Sequence, residues 1–129
     1  MAGLITSLEA AIAWRNGNSA ARVLAGKARR FFEEAGYGPA ALFARAIELA
    51  SGERSPNEAE SLAREACAID RPDIGIEVLG MLARSGQLQG NWIGEFEAQA
   101  ARIPGRPANW RSGALSIEEA RDAVARAAA

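Results

Sequence analysis

The side chains of this chain best suited to chemistry are its cations. Arg22, Lys27, Arg29 and Arg30 crowd into one segment of helical periodicity, and Arg102, Arg106 and Arg111 accompany Trp110 in a Pro- and Gly-broken stretch that holds no acid. Guanidinium groups grip carboxylates and phosphates through paired hydrogen bonds, and an indole ring is a large, rigid contact surface. Both clusters therefore read as partner-binding candidates, for an acidic protein or for nucleic acid. Helical spacing puts Arg22, Arg29 and Glu33 along one face, with Gly26 in the gap, and puts Lys27 and Arg30 on adjacent faces. The competing reading of the first cluster is a solvated face whose arginines pair with acids of the same chain. For the second it is a Trp110 that packs back on the helices and pins the loop.

Other chemistries are removed by what the chain lacks. It contains no histidine, which eliminates the commonest general base and metal ligand, and with them Ser-His-Asp, Cys-His and H-E-x-x-H arrangements. The adjacent pairs Glu33-Glu34 and Glu118-Glu119 point about 100° apart on a helix and form no converged dyad; the second suits a helix start. The 13 glycines make no phosphate-cradling pattern, and most stand where helices stop. Cys67, without a second cysteine or a neighbouring lysine, reads as a buried structural thiol. No catalytic residue, cofactor or metal ligand is assigned.

The length of 129 residues suits one helical domain over residues 1–129, with an irregular loop at 103–115. No run approaches the roughly 18 apolar residues of a spanning helix, and the opening residues lack the charged and apolar regions of a signal peptide. The expectation is a cytoplasmic protein that does not engage membranes, and the Ala- and Arg-rich composition has a bacterial or phage character. Net charge is -1, but unevenly spread. Residues 1–32 set five cations against Glu9 alone, 33–97 are acidic, and the remainder is again basic. A pI near 5.6 places nucleic-acid binding behind protein binding.

Strand signals are nearly absent, whereas helix starts and stops are dense. A T-x-x-E box at Thr6 and Glu9 opens a first helix that Asn16-Gly17 closes. Asn18 caps a second, 19–35, with Val23, Leu24, Ala28, Phe31, Phe32 and Ala35 inward. Pro39 opens a third and Gly52 stops it. Ser55-Pro56-Asn57-Glu58 reads as a capping box before a fourth, striped by Ala59, Leu62, Ala63, Ala66 and Ile69. The segment Ile74–Ala83 is apolar on nearly all sides and should be central, its Gly75 and Gly80 marking close helix contact. Asn91 caps a sixth helix to Arg102, and Ser116 with Glu119 boxes a last one that buries Ile117, Ala120 and Val124. Pro39 and Pro72 lie 33 positions apart, near the period of two-helix repeats, although residue identities beyond the prolines do not repeat.

The fold class is thus all-α: a compact bundle of six or seven short helices with a spacing that suits stacked hairpins. The functional expectation is a non-enzymatic protein–protein interaction module. A nucleic-acid-associated protein using the basic ends is the alternative, and a small enzyme working with carboxylates and arginines the third reading. Alanine-rich faces that allow close helix approach also favour a homodimer over a monomer.

Overall fold

The segments with helical punctuation fold into helices throughout. The computed structural model describes residues 2–105 and 114–128, and over these the order is α1 (Ala2–Arg15), α2 (Ala21–Ala35), α3 (Gly38–Ser51), α4 (Pro56–Ala68), α5 (Pro72–Arg84), α6 (Ile93–Ala100) and α7 (Ile117–Ala128), without a strand. The expected loop residues Arg106, Trp110 and Arg111 lie outside the described residues.

Local chemistry explains most of the boundaries. Pro39, Pro56 and Pro72 each sit in the first turn of a helix, where a missing N–H is harmless and the fixed φ is already helical. Gly36 ends α2 at φ 77°, a left-handed conformation that relieves the last carbonyls at little steric cost. At the start of α7 the capping box forms in both directions. Glu119 N–H donates to Ser116 Oγ at 3.1 Å, and Ser116 N–H donates to Glu119 Oε1 at 3.0 Å.

Four boundary expectations need correction. Helix α1 starts at Ala2, so Thr6 and Glu9 lie inside it and not at its start; the preceding residues include good helix formers and no proline stops them. Helix α2 starts at Ala21, because Asn18 Oδ1 accepts from Ala20 N–H at 2.9 Å and closes a turn ahead of the helix. Ser55 makes no side-chain cap at α4; its backbone N–H donates to Gln87 Oε1 at 3.2 Å. Helix α6 stops at Ala100, and the chain tightens into i→i+3 turns, Arg102 N–H to Gln99 O and Ile103 N–H to Ala100 O.

The inward face of α2 also differs from expectation. Ala21, Ala25, Ala28 and Phe32 are buried, while Val23, Phe31 and Ala35 face outward. Helix α2 packs between α1 and α3, and Ala28 and Phe32 join Ala41 and Ala44 of α3 in a cluster of their own. Close approach on two sides selects small residues over the most apolar ones.

Helix α5 is the centre of the molecule. All nine residues from Gly75 to Ala83 are buried, and α3, α4, α6 and α7 all pack on it. A Cβ at Gly80 would stand 2.6 Å from the Ala120 Cβ of α7, and one at Gly75 would stand 3.3 Å from Gln99 Oε1 and 3.5 Å from Ala66 O. Leu42, Ile47, Leu62, Leu79, Phe96 and Val124 fill the surrounding core.

Three buried polar side chains fasten connections to this core. Gln87 accepts from Ser55 N–H and donates to Leu49 O, joining the end of α3 to the start of α4. Gln99 donates at 3.2 Å to Cys67 O near the end of α4. Glu77 Oε2 accepts from Leu115 N–H at 3.3 Å, just before α7. Because such groups are desolvated, each hydrogen bond is expensive to lose.

Gly80→Ala is expected to destabilise the protein by about 1–3 kcal/mol through overpacking, despite alanine's better helix propensity. Gly94, where a Cβ meets nothing within 4 Å, gives the contrast: Gly94→Ala is expected to add up to about 1 kcal/mol. Urea unfolding of both variants checks the pair.

Candidate functional site

Arg22 and Arg29 stand seven positions apart on α2, and both line a groove of about 800 Å³ that α3 and the start of α4 complete. Arginines 22, 29, 45 and 54 share its walls with glutamates 33, 48, 53 and 58, so the two signs balance. Arg29 Nη1 bonds Glu33 Oε1 at 2.8 Å and its Nε donates to Glu48 Oε1. These acids raise the Arg29 pKa above its ordinary value, the hydrogen bond to Glu48 foremost. Gly26 leaves room for that contact, since a Cβ there would stand 3.3 Å from Glu48 Oε2.

The remaining candidates are not gathered with this pair. Arg22 reaches Gly52, where a Cβ would stand 3.4 Å from its Cζ, but Arg22, Lys27 and Arg30 form no ion pair among the described residues. Lys27 and Arg30 are exposed on α2. Arg102 lies beyond α6, bonded to Asp70 and, at 3.4 Å, to Gln99 Oε1. Where the described parts of the two ends meet, Arg15 Nη2 pairs with the acid Glu119 at 2.7 Å, and its Nη1 donates to Ala114 O at 2.9 Å.

A second feature was missed by sequence reasoning and is more unusual. Helix α1 buries Gly3, Ser7, Ala10, Ala11 and Ala13 and turns its large apolar residues outward. Leu4, Ile5, Leu8 and Ile12 are 48, 56, 47 and 61 % exposed. At 100° per residue these four occupy one arc about 100° wide, the form of a helix face that packs on something. Val23 and Phe31 are exposed on the adjoining α2, where the Phe31 ring lies over Gly3. The signal was the repeat of Leu4, Leu8 and Ile12 at intervals of four, and a start at Thr6 cuts it in half.

Leu4 and Leu8 also form one wall of a smaller groove, about 250 Å³, with Phe32, Phe43 and Ile74. Arg71 and Asp73 lie along it, joined by two hydrogen bonds of 3.0 and 2.9 Å. The Arg71 guanidinium holds the Asp73 carboxyl below its usual range, against the opposing effect of burial.

Among the described residues, three side chains other than arginine have displaced acidity, each with a structural cause. Asp73 and Glu119 are both pushed toward permanent ionisation, the reverse of what a general acid needs. Burial first, and then the nearby Glu95 carboxylate, push the Cys67 thiol up to about 12, away from the nucleophilic thiolate. Among the described residues no cluster of three or more Cys, Asp or Glu is placed to hold a metal ion, and no helix is long and apolar enough to cross a membrane. Comparison with protein-family models, with curated proteins and with solved structures finds no match to this chain.

Two solution properties follow. At pH 8 the folded chain is expected to react with iodoacetamide at least about tenfold more slowly than the urea-unfolded chain, with Cys67 alkylation followed by mass spectrometry. The hydrogen bond from Arg15, followed by those from Ser116, lowers Glu119 from its ordinary 4.5 to about 2. Its stabilising contribution is therefore full above pH 4.5 and is lost as the pH falls toward 2. Thermal melts across that window should show a falling midpoint, and Glu119→Gln should flatten the slope.

Proposed function

We propose that this chain is a protein–protein interaction module whose docking surface is the outward face of α1. The observation that carries the reading is the inversion of α1, which keeps alanine, glycine and serine inside and displays Leu4, Ile5, Leu8 and Ile12. Leaving those side chains in water forgoes about 1 kcal/mol or more apiece, given a gain of about 1.5–3 kcal/mol for full burial of a leucine or isoleucine. A partner surface recovers it. Contiguous apolar faces of this kind mark interaction sites more often than catalytic ones.

The charged groove supports the same class of function as a secondary contact. It has the volume of a ligand site, but its walls are polar and charged rather than apolar, which suits a hydrophilic polypeptide segment better than a small molecule. Nucleic-acid binding has weaker support. Arg29 and Arg102 are neutralised within the chain, and the groove's glutamates repel phosphate as strongly as its arginines attract it.

A photo-crosslinking amino acid placed at position 8 in the producing cell is expected to yield discrete protein adducts. The same probe at Ala98, exposed on α6, should yield few. If position 8 captures no protein at all, the interaction reading fails.

A further inference from the structure

We infer that the charged groove between α2 and α4 binds an extended segment of a partner polypeptide carrying an acid and a base at adjacent positions; this rests on the interaction reading and names the partner's chemistry. Helices α2 and α4 each pack on α3, so α3 is the floor of the groove and the other two helices are its walls. Much of its charge is answered within the chain. Glu33 and Glu48 both hold Arg29, and Arg45 pairs with Glu65 of α4 at 3.0 Å. The side chains of Arg22, Glu53 and Glu58 also line the groove and make no ion pair or hydrogen bond among the described residues. Arg54 donates to the backbone carbonyl of Gly86 and meets no carboxylate there. An occupant of one sign is attracted by two of these four groups and repelled by the other two, whereas one presenting both signs can be attracted by all four.

The spacing of the α4 wall favours an extended backbone. Asn57 and Ser61 line the groove, are exposed, and their side chains make no hydrogen bond among the described residues. Four positions apart on a helix, they stand about 6 Å apart along its axis, close to the roughly 6.6 Å between alternate residues of a strand. An amide and a hydroxyl at that repeat can bond two peptide groups on the same edge of one segment. Successive side chains of such a segment point to opposite sides. An acid directed at Arg22 on the α2 wall therefore has as its neighbour a residue directed at Glu58 on the α4 wall, and a base there satisfies it. From Arg22 to Glu33 the α2 wall runs about 17 Å, room for about five extended residues.

The test is an NMR titration of the isotope-labelled chain with an end-blocked hexapeptide of alternating Glu and Lys, in low salt, where screening is weak. All-Glu and all-Lys hexapeptides are the controls. The alternating peptide is expected to shift the Asn57 and Ser61 resonances with a Kd at or below about 1 mM, and each control to bind at least about tenfold more weakly. Arg22→Glu and Glu58→Lys, made separately on the two walls, should each weaken the alternating peptide at least about tenfold with unchanged far-ultraviolet circular dichroism. Both side chains are exposed, and if one variant loses helix content the other decides. No shift up to about 5 mM peptide, equal binding of a control, or undiminished binding to a folded wall variant each overturn the inference. A groove that binds nothing while position 8 still captures proteins in the cell leaves the interaction reading standing; peptide binding with no adduct at position 8 does the reverse.

Discussion

The distance between α5 and α7 at Gly80 is the constraint on which the rest of the bundle depends. With no side chain at that position, Ala120 comes to where a Cβ would otherwise be, and α7 can lie directly on the central helix. Helix α5 has no polar face for water, because its residues from Gly75 to Ala83 are all buried. It must therefore be surrounded, and α3, α4, α6 and α7 do so. Such a helix gains stability from dispersion and apolar burial and little from its own propensity, which the two glycines lower.

Enclosing a helix in this way strands polar groups at the connections around it. Gln87, Gln99 and Glu77 answer that problem, each buried and bonded to the backbone at or near a helix end. Arg15 does related work at the periphery, linking α1 to Ala114 and to Glu119. The charge pattern of the chain resolves in the same way. Its basic first segment folds beside acids such as Glu48 and Glu119 that neutralise Arg29 and Arg15, leaving Arg22, Lys27 and Arg30 as the cations of that segment turned to solvent.

What could be read from the sequence was mostly local. Gly36, Pro56 and the Ser116–Glu119 box act within a few residues, and the unbroken apolarity of Ile74–Ala83 admits only an interior helix. Arg22, Arg29 and Glu33 were legible as one face because their spacing is helical. Glu48, which pairs with Arg29, comes from α3, and nothing in the spacing of α2 announces it. Thr6 and Glu9 form a genuine T-x-x-E pattern, but a box caps only where a helix needs to begin, and good helix formers carry α1 back to Ala2. The face of α2 was misjudged because Val23 and Phe31 are more apolar than Ala21 and Ala25, whereas a helix squeezed between two neighbours is oriented by side-chain volume. Gln87 and Gln99 look like surface residues in a sequence and are buried for their hydrogen bonds.

The inverted face of α1 also bears on how unevenly the molecule holds together. Helix α5 cannot leave without dismantling the core, so its amide protons should exchange only through complete unfolding. Helix α1 is attached through small side chains, Trp14 and the polar links of Arg15, and is expected to open before α5. Whatever covers Leu4, Ile5, Leu8 and Ile12 binds the docked helix and not the detached one. A partner on the proposed docking face would therefore raise the cost of local opening, supplying anchorage from outside.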